Sequence, residues 1–124
     1  MKPFLLVGLG GALGSMLRFG AVTQATRFSP GFPTGTVTVN LVGCFLIGLL
    51  SALAERRGLI SSEMKLLLVT GFLGGFTTFS AFGLDTLKLA QAGKFVPALA
   101  NVLLSVLGGL AMVWLGGQIV GTTK

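Results

Sequence analysis

The charged residues of this chain are nearly absent from four long apolar stretches and gather at their ends, which constrains the fold more than any other feature of the sequence. A hydrocarbon core excludes charge unless something compensates it, so the charges act as boundary marks. They delimit helices at about Phe4 to Thr26, Thr36 to Leu53, Lys65 to Lys88 and Phe95 to Val120. Each is near the roughly 20 residues that span a bilayer, and four of them with short turns use up the 124 residues. The expected fold is therefore all-α and transmembrane, one unit over residues 1–124, with no soluble catalytic domain beside it. Charged residues are 10% of the chain, against about 25% in soluble domains, too few to clothe a globule in water.

The connections follow from the same pattern. Phe28 to Gly35 concentrates Pro30, Gly31, Pro33 and Gly35 in one turn. Glu55 to Glu63 is a polar hairpin whose Ser61, Ser62 and Glu63 suit a helix start, and Gln91 to Lys94 is a short turn. Met1, Lys2 and Pro3 ahead of an apolar run imitate a signal peptide, but the run continues through Gly14 into Arg18 and Phe19 without a small-residue cleavage pattern and reads as a helix.

Catalysis and metal clustering are improbable on the residue inventory: there is no His, and the only acids are Glu55, Glu63 and Asp85. Cys44 is the single cysteine and reads as a small packing residue. The formal charge of +6 does not point to nucleic acid, because the nine Lys and Arg are scattered and form no basic stripe. With four spans, Lys2, Arg56, Arg57, Lys65 and Lys124 fall on the side of the termini and Arg18, Arg27, Lys88 and Lys94 on the other. Orientation normally follows a clear Lys and Arg asymmetry, and five against four gives none. Insertion in both orientations, with inverted copies pairing, is one reading. A single orientation set by the adjacent Arg56 and Arg57 is the other.

Several positions invite a functional reading. Gly10 with Gly14, and Gly117 with Gly121, form GxxxG pairs that favour close helix approach in lipid. The run from Gly8 to Gly14 superficially resembles a dinucleotide loop, but no strand precedes it and no acid follows within twenty residues. Arg18 lies inside an apolar helix, where it must snorkel, pair or face water, and could concentrate anions at an entrance. Thr36 and Asn40 share a helix face, as do Asn101, Ser105 and Gly109; such rows line a polar conduit or glue helices together. The richest stretch is Gly71 to Phe82, where three Gly within five residues precede Thr77, Thr78 and Ser80 near the expected midplane. That composition predicts a break in helix 3, and irregular backbone at membrane depth exposes carbonyls and amides that coordinate ions. Phe79 and Phe82 share a face three residues apart, and phenyl edges carry partial positive charge.

The strings GLGGALGSMLRFG (Gly8 to Gly20), GTVTVNLVG (Gly35 to Gly43) and GGFTTFSAF (Gly74 to Phe82) resemble the signatures of the Fluc, or CrcB, fluoride channels, the match running through all four spans in order. The resemblance implies an antiparallel, dual-topology homodimer of four-helix subunits with two fluoride pores, in keeping with the balanced charges. It implies that Asn40, Phe79, Phe82, Thr78 and Ser80 line the fluoride path, and that Arg18 stands at the vestibule. It also implies that the Gly74 and Thr77 carbonyls give ligands to a structural Na⁺ shared by the two subunits. Ala81 replaces a Thr that some relatives carry, which leaves Ser80 and Ser105 to supply hydroxyls. The implied function is passive export of F⁻ from the cytoplasm across the plasma membrane, the inner membrane in a Gram-negative cell. Hydrogen fluoride enters an acid-exposed cell neutral and dissociates inside, and an electrodiffusive exit relieves the trap. The rival is a small proton-coupled multidrug exporter of dual topology, which needs a titratable carboxylate within a span; only Asp85 is a candidate. A non-transporting membrane scaffold is a third reading.

Overall fold

Pro3 stands in the first turn of the first helix, where its missing N–H is an orphan in any case, and a second proline, Pro33, immediately precedes the second helix. The computed structural model describes residues 1–121, so Lys124, counted above with the terminal cations, lies outside the described residues. Four apolar helices follow in order: α1 (Lys2–Phe28), α2 (Thr34–Arg57), α3 (Ser62–Gln91) and α4 (Phe95–Ile119). All four are long and apolar enough to cross a membrane. The first three run two to four residues past one or both expected boundaries, because Arg27, Arg56, Arg57 and Lys88 ride on the last helical turns, where cations complement the carbonyl end.

The helix ends are capped as the sequence allows. Gly58 takes a left-handed conformation, φ 61°, and its N–H returns to the carbonyl of Leu53. Ser61 accepts the amide of Met64 at 3.2 Å and starts α3. Arg56 and Arg57 then reach across to α4, donating to the carbonyls of Gly117 at 2.9 Å and Val120 at 3.0 Å.

Neither α3 nor α4 is uniform. In α3, an opening α turn (Ser62–Met64) leads into a π-helical stretch (Lys65–Leu73) and a short α turn (Gly74–Phe76); Thr77 and Thr78 have extended backbone, with φ/ψ of −90°/159° and −153°/118°, and α-helix resumes over Phe79–Gln91. Gly74 and Gly75, at the centre of the glycine-rich string, are helical. α4 carries a π-helical segment at Leu104–Gly108.

Packing joins helices two apart in the chain. α1 lies along residues 65–76 of α3, and α2 lies along Gly109–Ile119 of α4, while Phe79–Gln91 packs on Phe95–Leu103. Absent side chains set the spacing: a Cβ on Gly10 would stand 2.1 Å from the Leu67 carbonyl oxygen, and one on Gly14 would stand 2.0 Å from that of Phe72. On the other seam, a Cβ on Gly48 would fall 2.1 Å from the Val113 carbonyl oxygen and one on Gly116 2.1 Å from that of Phe45. The GxxxG pair of α1 is thus a true seam. That of α4 is not, because Gly117 makes only ordinary contact and Gly121, with φ 66°, follows the helix end. Large apolar side chains such as Phe19 and Trp114 face outward. Exposed apolar surface on that scale belongs in lipid or against a partner, and the protein is a multi-pass membrane protein.

Candidate functional site

The extended residues of α3 are pinned from outside. In an unbroken helix the Thr78 amide would serve the Gly74 carbonyl; here it donates to Asn40 Oδ1 at 2.8 Å, and Asn40 Nδ2 donates back to the Thr78 carbonyl at 3.0 Å. One carboxamide of α2 therefore holds both backbone polar groups of Thr78. Gly43, a turn further along α2, leaves room for Thr77, whose Cγ2 would stand 2.1 Å from a Cβ at that position. Thr77 Oγ1 turns back to the Leu73 carbonyl at 2.9 Å. Thr78 Oγ1 accepts the Ala81 amide at 3.2 Å and caps the resumed helix.

Beside this segment opens a groove of ≈ 350 Å³ lined by Asn40, Gly43 and Cys44 of α2, Gly74, Thr77, Thr78, Phe79 and Phe82 of α3, and Ser105 of α4, with apolar Ile47, Val69, Leu73 and Val106 between them. Its lining contains neither a carboxylate nor an ammonium. Asn40 carries two N–H donors and spends one on Thr78. Ser105 Oγ is buried without a partner among the described residues, a cost of about 1–3 kcal/mol for a group left unsatisfied. The Phe79 and Phe82 rings sit 5.3 Å apart and tilted by 48°, with Phe79 82% exposed. The arrangement presents hydrogen-bonding groups and two phenyl rings to a small guest.

Most sequence candidates converge here. Asn40, Gly74, Thr77, Thr78, Phe79, Phe82 and Ser105 line one groove. Ser80 does not; it is exposed, with its hydroxyl 3.3 Å from that of Thr78. Arg18 does not either: half-buried, it donates from Nε to the Gly75 carbonyl at 2.9 Å, on the α1 side of α3. Cys44, read as packing, is part of the groove wall.

A second cavity, ≈ 360 Å³, opens at the end of the bundle formed by the first and third connections, and Thr36, Asp85, Lys88 and Lys94 contribute to its lining. Thr36 Oγ1, buried, donates to Asp85 Oδ2 at 2.8 Å. Nearby, the fully buried Asn101 donates to Thr86 Oγ1 at 2.8 Å, and Thr86 donates to the Phe82 carbonyl at 2.8 Å. The row Asn101–Ser105 is therefore partly glue and partly lining. The Thr36–Asp85 pair escaped the sequence reading; the only signal was that Thr36 shares its helix face with Asn40.

Comparison with known proteins gives consistent matches. The family described as CrcB-like protein, Camphor Resistance (CrcB), matches residues 5–117. A fluoride-specific ion channel FluC of Methylobacillus flagellatus is 47% identical over 125 residues, covering 99% of this chain and 98% of its own. Proteins of the same name from Paracoccus denitrificans and Chloroflexus aurantiacus are 52% identical over 118 residues and 44% over 117, covering 95% and 94% of this chain and 93% of their own in each case.

Proposed function

Because this chain belongs to the CrcB family, we propose that it is a fluoride channel that lets F⁻ leave the cytoplasm passively, without chemistry and without a coupled ion. The observation that carries the reading is the character of the groove: amide and hydroxyl groups and two phenyl rings line it where no carboxylate repels an anion. Dehydrating a small anion is costly unless donors replace its water, and Asn40, Ser105 and the ring edges of Phe79 and Phe82 are the replacements. Thr36 stands one turn from Asn40 on α2, and Asn101 one turn from Ser105 on α4, a rise of about 6 Å each, so polar side chains continue from the groove toward the Asp85 cavity. Lys88 and Lys94 at that mouth raise the local anion concentration.

The working unit is an antiparallel homodimer of dual topology. The balanced cations support it, and so does the broken third helix, whose Gly74 and Phe79 are exposed in the single subunit. Gly74 fits a carbonyl ligand: its helical donor, the Thr78 amide, is committed to Asn40, and nothing lies within 4 Å of the Cβ it lacks. Together with the Thr77 carbonyl it would hold a Na⁺ shared with a second subunit. Bound there, the ion would offset the partial negative charge of these carbonyl oxygens and hold the subunits together. Proton-coupled export would need its carboxylate in the binding site, and Asp85 is outside the groove and bonded to Thr36.

Anion efflux from proteoliposomes at limiting protein density tests the function: F⁻ should leave quickly and Cl⁻ should stay. Equal loss of both, or loss of neither, overturns it. For topology, tagged termini should be accessible from both sides of the membrane, and accessibility from one side alone rules out the antiparallel pair.

A further inference from the structure

Arg18 lies inside an apolar helix, ten residues from Phe28 at the nearer end of α1, about 15 Å of helix, and its side chain is not left free to snorkel. Instead, its Nε lies 2.9 Å from the Gly75 carbonyl, and the Ser15 hydroxyl, three residues earlier on the same face, lies 3.4 Å from the same oxygen. That oxygen has lost its ordinary donor. In a continuous helix it would accept the Phe79 amide, which the extended Thr77 and Thr78 carry away. An unpartnered carbonyl within a membrane is strongly disfavoured, and a charged donor makes a stronger bond than a neutral one.

We propose that Arg18, assisted by Ser15, is a positioning residue: it supplies from α1 the hydrogen bond that the break removes from Gly75, and so fixes where α3 stops and where Phe79 begins. Its charge strengthens the bond, but the operative feature is a donor at the Nε position. This assignment rests on the channel reading only for its flux readout.

Three substitutions separate a donor from a vestibule charge. Arg18→Gln places an amide nitrogen at the same number of bonds from Cα as Nε and carries no charge. Arg18→Met has similar reach and no donor. Arg18→Lys keeps the charge and moves the donor one bond outward. Hydrogen–deuterium exchange of the Thr77 to Ala81 amides, measured on the full chain in bilayers, should rise about tenfold in Arg18→Met, the size expected for a lost hydrogen bond, and stay within about threefold of the parent in Arg18→Gln. Fluoride efflux should follow the same order, with Ser15→Ala giving a smaller change than Arg18→Met. The reverse order, with Lys active and Gln as impaired as Met, overturns the proposal, and so does Met behaving like the parent in both readouts. If Arg18→Met does not assemble, Gln against Lys decides: Gln nearer the parent supports the cap, Lys nearer refutes it. Should the parent itself pass no F⁻, the channel reading fails while the exchange series still judges the cap.

Discussion

Along α3, residues 65–76 meet α1 through side chains that are missing, whereas Phe79–Gln91 meets its surroundings through side chains that are present. In the first stretch Gly71 and Gly75 lie against the backbone of α1. In the second, nothing stands within 4 Å of a Cβ on Gly83, and the contacts that matter are those of Phe79, Phe82, Asp85 and Thr86. The α1-facing glycines of the first half leave no room for volume, whereas the second half acts through the rings and polar groups of its side chains. The two extended threonines allow one helix to obey both rules.

The largest effect that sharpens this contrast is steric. Gly14→Ala drives a methyl onto the Phe72 carbonyl oxygen, backbone against backbone, and should destabilise the subunit by about 3 kcal/mol or more, read as loss of the monodisperse peak in gel filtration. Gly83→Ala should do the opposite, gaining up to about 1 kcal/mol from helix propensity with F⁻ efflux unchanged. A harmless Gly14→Ala would break the comparison.

Next in size is Asn40→Ala. It strips both hydrogen bonds from the Thr78 backbone and should cost about 4 kcal/mol, taking each unsatisfied group near the middle of its range, and F⁻ efflux should be abolished. Asn40→Asp separates the two roles, since a carboxylate still accepts the Thr78 amide yet places negative charge in the groove. Folded protein with no flux is the expected result, checked by thermal denaturation beside the efflux assay.

Phe79→Ile and Phe82→Ile should slow F⁻ efflux at least tenfold, while Met at either position is milder because its thioether is polarisable. Phe79 is exposed in the single chain, so its substitution should move the stability of the subunit by less than about 1 kcal/mol. If well-folded Ile variants at both positions conduct at the parent rate, the second half of α3 is packing like the first. Smallest is Thr36→Val, which removes one donor from Asp85 and should cost about 1 kcal/mol, visible as a modest fall in melting temperature.

The sequence made the spans legible because apolar length and charge placement are local properties, and it made the α1 seam legible because Gly10 and Gly14 repeat along one face. The second seam was misread. It sets Gly48 of α2 against Val113 and Gly116 of α4 against Phe45, one glycine from each helix, and no spacing within a single stretch encodes that; Gly117 is the neighbour of Gly116, turned about 100° away. Within the stretch Gly71 to Phe82 the extended backbone lies at Thr77 and Thr78 and not at the glycines, since Gly75 is used for approach to α1 and the threonines have side chains able to stabilise extended backbone. Asn40 was singled out as polar in a span, but its hold on Thr78 joins residues 38 apart, which periodicity does not reach. Ser105 and the Phe pair were found because polar or aromatic residues at helical spacing stand out in an apolar chain.

The two glycine seams have a consequence for how the protein is made. Each joins residues about sixty apart: Gly10 meets Leu67 and Gly71, and Gly48 meets Val113. Apart from the approach of Gly35 to Val22 near the first connection, a newly inserted α1 and α2 have no close partner until the ribosome has produced α3 and α4. At roughly 5–20 residues per second, sixty residues take about 3–12 s. During that interval the first half of the nascent chain stands in the bilayer as loosely associated hydrophobic rods, free of the backbone contacts that later lock it. Each molecule thus inserts its first two helices before either glycine seam can close.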